Sequence, residues 1–398
     1  MGSNQKYFEK NTAITGIGQS EISRGSSKSA LELTVDACVE AIADAGLQRS
    51  DIDGIATWPG ADYNQSGFSP VGIPHIQDAL RLQVNWYDGG PEGPGQFAAI
   101  FNAIGAIAAG LAKHVLVYRI MYEATARKSA YANALMTANQ RDSGPFSWFS
   151  PYHVYSAATQ QALYFQRYVY ESGIKPEQIA QVAINGRRNA AINPKAVYRK
   201  LITLDDYFAA PIIATPLRIF DCDVPIDGST AIIISHIDAA REMRNPVTRI
   251  EAIGSSMQYR NSWTQLDALP TQAQPKVAEM MWSRTDLKPK DVDVAELYDG
   301  FSFHTINWLE NFGFCKRYEA GDFLEDNGRR IALDGELPIN TNGGALSAGR
   351  MHAYGQVHEA CTQLWNRGDA RQVKGNPQVA ALSTAGGPLA GCMLLVRE

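Results

Sequence analysis

The alternation of apolar and polar positions divides the chain into short strands and amphipathic helices that recur in one order. Ala13-Ile14-Thr15-Gly16-Ile17-Gly18 reads as a first strand ending in glycines. From Ser29 to Gly46, the residues Leu31, Val35, Cys38, Val39 and Ile42 fall at helical spacing, and Gly46 sits where a C-cap belongs. A second short strand is Asp53 to Thr57, whereas residues 58–72 hold turn formers without periodicity and read as a loop. The run GGPEGPG from Gly89 to Gly95 opens a helix of small residues reaching Gly110, and HVLVYRI from His114 to Ile120 is a buried strand. Residues 122–200 change character: two helices are predicted between Ala157 and Ala191, behind an aromatic patch from Phe146 to Tyr155. Such a patch suits a wall or a dimer contact, and equally a satellite core. Asp227-Gly228-Ser229 then leads into the strand Ala231 to Ser235, and a boundary between Arg244 and Val247 closes the first half.

The second half restarts the order, with a strand from Thr248 to Gly254, a helix from Gln272 to Ser283 and a strand from Val292 to Leu297. Leu47 is followed four residues later by Asp51-Ile52-Asp53, and Leu287 four residues later by Asp291-Val292-Asp293. The next helix and strand also recur, Gln96 to Gly110 and His114 to Ile120 in one half, Gly355 to Trp365 and Val379 to Leu382 in the other. Duplication of a βαβα unit explains this economically and predicts an α/β fold with two halves, 1–245 with an insertion at 122–200, and 246–398. Side by side, two such units place helix N-termini at a shared cleft, where open α/β sheets bind ligands.

Length and composition narrow the function. At 398 residues the chain exceeds the size of most single cores, and 45% hydrophobic with 19% charged residues describes a well-buried protein. A net charge of -5 and the lack of a dense Lys/Arg block argue against nucleic acid and anionic membranes. The start MGSNQKYFEK has no signal-peptide core and no later apolar run is long enough for a bilayer, so a soluble cytoplasmic protein is expected. The cysteines Cys38, Cys222, Cys315, Cys361 and Cys392 are odd in number and never in a Cys-x-x-Cys pair, which predicts reduced, mostly buried thiols and no zinc site.

Two stretches concentrate chemistry and are expected to face each other across one site. Asn340 to Glu359, NTNGGALSAGRMHAYGQVHE, holds a glycine pair, an arginine, two histidines and a tyrosine; Glu296-Leu297-Tyr298-Asp299-Gly300-Phe301 is a strand end entering a helix. Each has an ordinary alternative. A tyrosine at a strand end is usually packing, Arg350 suits a carboxylate pair, and Tyr354 and His358 share a helix face, so one could merely orient the other. His352 and His358 are six apart and His358-Glu359 lacks the second histidine of a zinc-protease helix, so no metal is expected.

The duplicated halves, Cys222-Asp-Val-Pro-Ile-Asp-Gly-Ser, Glu296-Leu-Tyr-Asp-Gly-Phe, Asn342-Gly-Gly-Ala-Leu-Ser-Ala-Gly and the terminal Gly386-Gly-Pro together resemble the thiolase superfamily, nearest its sterol-carrier-protein-type branch, from about Thr12 to Glu398. The resemblance implies a five-layered αβαβα fold, a coenzyme A thioester as substrate with no other cofactor, and a homodimeric core. Against that pattern, the turn Gly93-Pro94-Gly95 lacks the nucleophilic cysteine, the catalytic histidine falls on Arg350, a permanent cation, and the His or Asn of the Glu-x-x-Asp-x-Phe motif is Tyr298. The second cysteine position falls on Thr384 to Gly386, and Cys392 lies deeper in that strand.

This looks like the cysteine-less thiolase homologues that cleave steroid side chains by a retro-aldol reaction, with an OB-fold/zinc-ribbon partner in a heterotetramer. The substrate implied is a β-hydroxyacyl-CoA with a tertiary alcohol on a steroid ring, yielding a ring ketone and propionyl-CoA. Tyr298 and Tyr354 are the expected acid/base pair, in either order, with His352 a third participant. Gly93, Gly386 and Gly387 are candidates for holding the thioester oxygen, and Asp299, Arg350 and His358 for substrate contacts. Two other readings stay open: a thiolase or acyltransferase with an unrecognised nucleophile, and a non-catalytic thiolase-like lipid-binding subunit.

Overall fold

A computed structural model describes residues 7–62, 66–91, 93–127, 150–152, 154, 156–257, 272–386 and 389–398. Its strands are β1 Thr12–Gln19, β2 Gly54–Thr57, β3 Trp86–Asp88, β4 His114–Tyr122, β5 Ile212–Ala214, β6 Leu217–Arg218, β7 Asp227–His236, β8 Thr248–Ser256, β9 Val294–Glu296, β10 Val379–Ala385 and β11 Ala390–Arg397. Nine of them are hydrogen-bonded in the order β3-β2-β4-β7-β1-β8-β11-β10-β9, and β5 and β6 form a separate ribbon.

The duplication shows in pairing sense. In the first half β2 runs parallel to β4, β4 antiparallel to β7 and β7 antiparallel to β1. In the second, β9 runs parallel to β10, β10 antiparallel to β11 and β11 antiparallel to β8. Within the sheet the two halves meet at the β1–β8 pairs Ala13↔Arg249 and Ile14↔Thr248. The repeated Asp-x-Asp triplets have one physical role. Asp53 accepts from the backbone N–H groups of Lys113 and His114 at 2.9 Å, fastening the start of β4. Asp293 accepts from Gln378 and Val379 at 2.7 and 2.9 Å, fastening the start of β10.

Period-two alternation along the strands sorts side chains into separate cores, and these define five layers. Leu116, Tyr118 and Ile120 of β4 face the Ala30–Asp44 and Ile73–Leu80 helices. Val115 and Val117 face a central core shared by the Ala98–Ala108 and Tyr354–Leu364 helices and by strands of both halves, including Ile250, Ala380 and Leu382. Ala381, Cys392 and Leu394 face outward again, onto the Gln274–Trp282 and Ser302–Asn311 helices. Two buried helices between two sheet halves, each covered outside by further helices, make the expected αβαβα order.

Most elements fall where the periodicity puts them, and the differences are local. Residues 73–88, to which the periodicity assigns no element, hold the Ile73–Leu80 helix and the three-residue β3. The strand read as Ala231 to Ser235 begins at Asp227, because Asp227-Gly228-Ser229 pairs with Tyr122, Met121 and Ile120. The predicted pair of helices in the insertion is Ala157–Ser172 and Pro176–Ala191. Of the aromatic patch, Phe146, Trp148, Phe149, His153 and Tyr155 lie outside the described residues. Among the described residues no helix is long and apolar enough to cross a membrane.

Because the Asp53 side chain satisfies two strand-start donors, Asp53→Ala should lower unfolding free energy by about 1–3 kcal/mol. Denaturant midpoints measure this; a loss below a few tenths would refute a fastening role.

Candidate active site

The site forms where the two central helices begin. Asp299 joins its halves: the carboxylate accepts from the N–H groups of Ala345 and Leu346 at 2.8 and 3.2 Å and from Gln356 Nε2 at 3.1 Å. That approach requires glycine at 343 and 344. Both have positive φ, 106° and 62°, and an added Cβ at Gly344 would stand 2.0 Å from Asp299 Oδ2. On its other side the loop is gripped by the Pro176–Ala191 helix and its end, since Asn189 donates to the carbonyls of Ile339 and Asn340, and Asn193 to that of Asn342. The segment after Cys222 is stitched in between: Asp223 N–H donates to Gly300 O, Val224 N–H to Ala345 O, and Arg350 N–H to Val224 O. The two chemistry-rich stretches therefore meet.

Within this frame the candidates separate into groups. Tyr298 is anchored through its own N–H to Ser383 Oγ at 2.9 Å, and its ring folds over Gly300, where an added Cβ would lie 2.7 Å from the phenolic oxygen. Tyr354 opens the Tyr354–Leu364 helix and is fully buried, with its hydroxyl unpartnered. His352 and Ala353, just before it, sit at φ 48° and 65°, a left-handed conformation costing roughly 1–3 kcal/mol per residue and typical of functional sites. His352 is held there by Arg119, whose Nη2 lies 3.0 Å from its Nδ1, and by the rings of Trp58 and Phe68. Arg350 is bound by Glu123 and by Asp223 at 3.4 Å, the carboxylate pair that was its ordinary alternative.

Arg119 was missed in the sequence reading, although one arginine inside HVLVYRI is a visible anomaly. Alternation puts it on the face of Val115 and Val117, toward Tyr354. It is completely buried, packs under Trp58 and Phe68 with its guanidinium 5.3 and 4.7 Å from the ring centres, and forms no carboxylate pair among the described residues. Burial pulls its pKa down to about 9, with Tyr354 opposing. Glu123 and Asp223 were also unassigned; burial pushes Asp223 up to about 6 against the pull of Arg350.

Other expected contributors lie apart or act differently. Asp299 has its oxygens occupied by three donors, so it acts as a joint and leaves little capacity for a ligand. His358 hydrogen-bonds Thr362, and burial with the charges of Lys195, Arg371 and Arg367 lowers its pKa to about 3; among the described residues it has no hydrogen bond to either tyrosine. Gly93 lies in a tight turn, Gly95 N–H to Gly93 O at 2.7 Å, and Gln96 just beyond it is hydrogen-bonded to Thr384. Gly386 follows on the same strand, and Gly387 lies outside the described residues. Cys392 points away, its thiol donating to Val277 O at 3.5 Å. Burial raises the pKa of all five thiols, Cys222 and Cys315 to about 12, so none is poised as a thiolate.

Burial pushes the Asp299 pKa up to about 7, the Ala345 and Leu346 N–H groups opposing and the Asp223 charge assisting. An unfolded aspartate has a pKa of about 3.9, so the native state holds this proton more tightly, and the resulting stability is lost as pH rises toward 7. Asp299→Asn should lack that slope. Denaturant midpoints of both proteins between pH 4.5 and 8 provide the check, and parallel curves would refute it.

The family model described as thiolase C-terminal domain-like matches residues 254–397. The chain is 33% identical over 395 residues to the 17-hydroxy-3-oxo-4-pregnene-20-carboxyl-CoA lyase of Mycobacterium tuberculosis, covering 96% of this chain and 98% of that one. It is 32% identical over 356 residues to a steroid side-chain-cleaving aldolase of Thermomonospora curvata, covering 87% and 88%. Among solved structures it matches an Ltp2-ChsH2(DUF35) aldolase with a TM-score of 0.86 and 28% identity over 98% of each chain. With its layered fold, its lack of a cysteine at the turn Gly93-Pro94-Gly95 and a relative above 30% identity along nearly its whole length, the chain belongs to the thiolase superfamily, in its sterol-carrier-protein-type branch, where its relatives include a steroid side-chain-cleaving aldolase.

Proposed function

We propose that this protein is a carbon–carbon lyase that splits a bulky, steroid-type β-hydroxyacyl-CoA by a retro-aldol reaction, giving a ring ketone and a short acyl-CoA, propionyl-CoA. The observation that carries the mechanism is the pair of buried tyrosines, Tyr298 and Tyr354, set beside the buried Arg119 and the largely buried Arg350, with no cysteine in this cluster. Gln96 and Thr384 are bonded to each other at the head of the Ala98–Ala108 helix, and Gly93 to Gly95 supply no side chain to acylate. Cleavage then requires only proton transfers. The alcohol loses its proton, the carbon–carbon bond breaks with its electron pair passing to the thioester as an enolate, and the α-carbon regains a proton.

The charges divide the roles. Making a phenolate at pH 7 from a tyrosine of pKa near 10 costs about 4 kcal/mol, and burial raises that cost. At Tyr354 the opposing influence is Arg119. Removing the Tyr354 proton turns an isolated buried cation into a neutral pair, which relieves the unpaired charge. Tyr354 is thus assigned as the base that takes the alcohol proton. Tyr298 is held protonated by burial and by the nearby carboxylates of Asp223 and Asp299, against Arg350, and is assigned as the acid that returns a proton to carbon. His352 orients Arg119 and does not titrate, because burial and the two arginines keep it neutral.

The match to an Ltp2-ChsH2(DUF35) aldolase, together with the expectation of an OB-fold/zinc-ribbon partner, supports a heterotetramer of two copies of this chain and two partner chains. The substrate class follows the two lyase relatives, whose printed names specify a steroid carboxyl-CoA and steroid side chains.

Tyr354→Phe and Tyr298→Phe should each reduce kcat by roughly 10²–10⁴-fold with substrate binding kept. Product mass spectrometry on a hydroxyacyl-CoA panel reads this, and full activity in the double variant would leave only a non-catalytic role. In Arg119→Met the rise of kcat/KM with pH should move to higher pH, whereas an unchanged profile would remove Arg119 from the activation of Tyr354. An acyl adduct found on any side chain after thioester treatment would instead favour the acyltransferase reading.

A further inference from the structure

Beside Tyr298 lies a second polar group that the acid/base assignment does not use. His304, on the Ser302–Asn311 helix, is 2% exposed, and Gln274, on the first turn of the Gln274–Trp282 helix, is wholly buried. Among the described residues, neither ring nitrogen of His304 and neither polar atom of the Gln274 amide has a hydrogen-bond partner. The two side chains converge on Gly386: an added Cβ there would lie 2.7 Å from His304 Nε2 and 3.2 Å from Gln274 Nε2. The His304 ring is also stacked on Tyr298, with ring centres 5.5 Å apart and planes inclined by 29°.

Buried donors without partners are costly, and two converging on one glycine beside an acid/base tyrosine match a site completed by its ligand. The glycine matters because any side chain at 386 would fill the approach to both nitrogens. A retro-aldol cleavage builds negative charge on the thioester carbonyl oxygen, and preorganised donors are most effective where charge develops. Burial lowers the His304 pKa to about 3, so the imidazole stays neutral, and its Nε2–H tautomer donates a hydrogen bond without bringing a charge into the site.

Building on the retro-aldol reading, we propose that His304 and Gln274 form a neutral donor pair that receives the thioester carbonyl oxygen of the acyl-CoA over Gly386 and holds it as the enolate forms. The electron pair released from the broken carbon–carbon bond rests on that oxygen until Tyr298 delivers a proton to the α-carbon. This makes two side chains, one from each of two outer helices, part of the oxyanion site, in addition to any backbone donor of the glycine turn.

The test compares binding of propionyl-CoA with that of S-propyl-CoA, which lacks only the carbonyl, by calorimetry on the protein with any partner that co-purifies. The wild type should bind the thioester at least about fivefold more tightly, a preference lost in His304→Phe and Gln274→Leu and partly restored in His304→Gln. Circular dichroism and melting temperature identify any variant that fails to fold, and the remaining variants then decide. Cleavage assays on the same variants should show kcat reduced roughly 10²–10³-fold, with KM raised by no more than about the fivefold lost in binding. Equal binding of both compounds by the wild type, binding of neither, or an undiminished preference in His304→Phe and Gln274→Leu would overturn the proposal. A preserved thioester preference in a wild type that releases no ketone would overturn the lyase reading while leaving this carbonyl site in place.

Discussion

The site depends on one carboxylate. Asp299 sits at a strand end yet accepts hydrogen bonds from two N–H groups and one amide of a segment about fifty residues away in sequence. Those bonds fix where the Asn340–Glu359 stretch crosses the Glu296–Phe301 stretch, and hence where Arg350, His352 and Tyr354 lie relative to Tyr298. They also explain the glycine pair at 343 and 344, which is needed for backbone conformation and because a side chain would occupy the carboxylate's space.

Around that joint the protein buries charge to a degree that packing alone would not favour. Arg350 is compensated by Glu123 and Asp223, whereas Arg119 is surrounded by aromatic rings, a histidine and a tyrosine. The difference is functional in consequence. A paired cation fixes a loop, but an unpaired one in a low-dielectric setting favours a nearby group becoming negative. The two tyrosines are chemically identical in isolation and acquire distinct electrostatic environments from these neighbours. In the proposed reaction that asymmetry divides the two proton-transfer steps between them without a covalent intermediate.

The duplicated architecture supplies the rigidity. Each half fastens a strand start with the second aspartate of its triplet, Asp53 or Asp293, and each contributes one central helix whose first turn enters the site. Where relatives with a sulfur nucleophile would place chemistry at the head of the first such helix, Gln96 and Thr384 are joined to each other. In the proposed reaction the chemistry lies instead on the opposite helix and the strand end that faces it.

Read by itself, the sequence determined the order and type of most elements, the internal repeat, the family pattern and the loss of the nucleophilic cysteine, because these depend on local periodicity and residue identity along the chain. It also singled out Tyr298, His352 and Tyr354. Only the tertiary structure decided which ionisable groups share an environment. Arg119 comes from the first half, Glu123 follows the same strand, Asp223 lies in a connecting segment and His304 on an outer helix, and sequence separation conceals their proximity. It likewise places His358 beside Thr362 and near Lys195, Arg371 and Arg367, and shows Asp299 joining the two stretches through its hydrogen bonds. Electrostatic effects and desolvation act through space, so a residue's charge state and role follow from its neighbours in the fold.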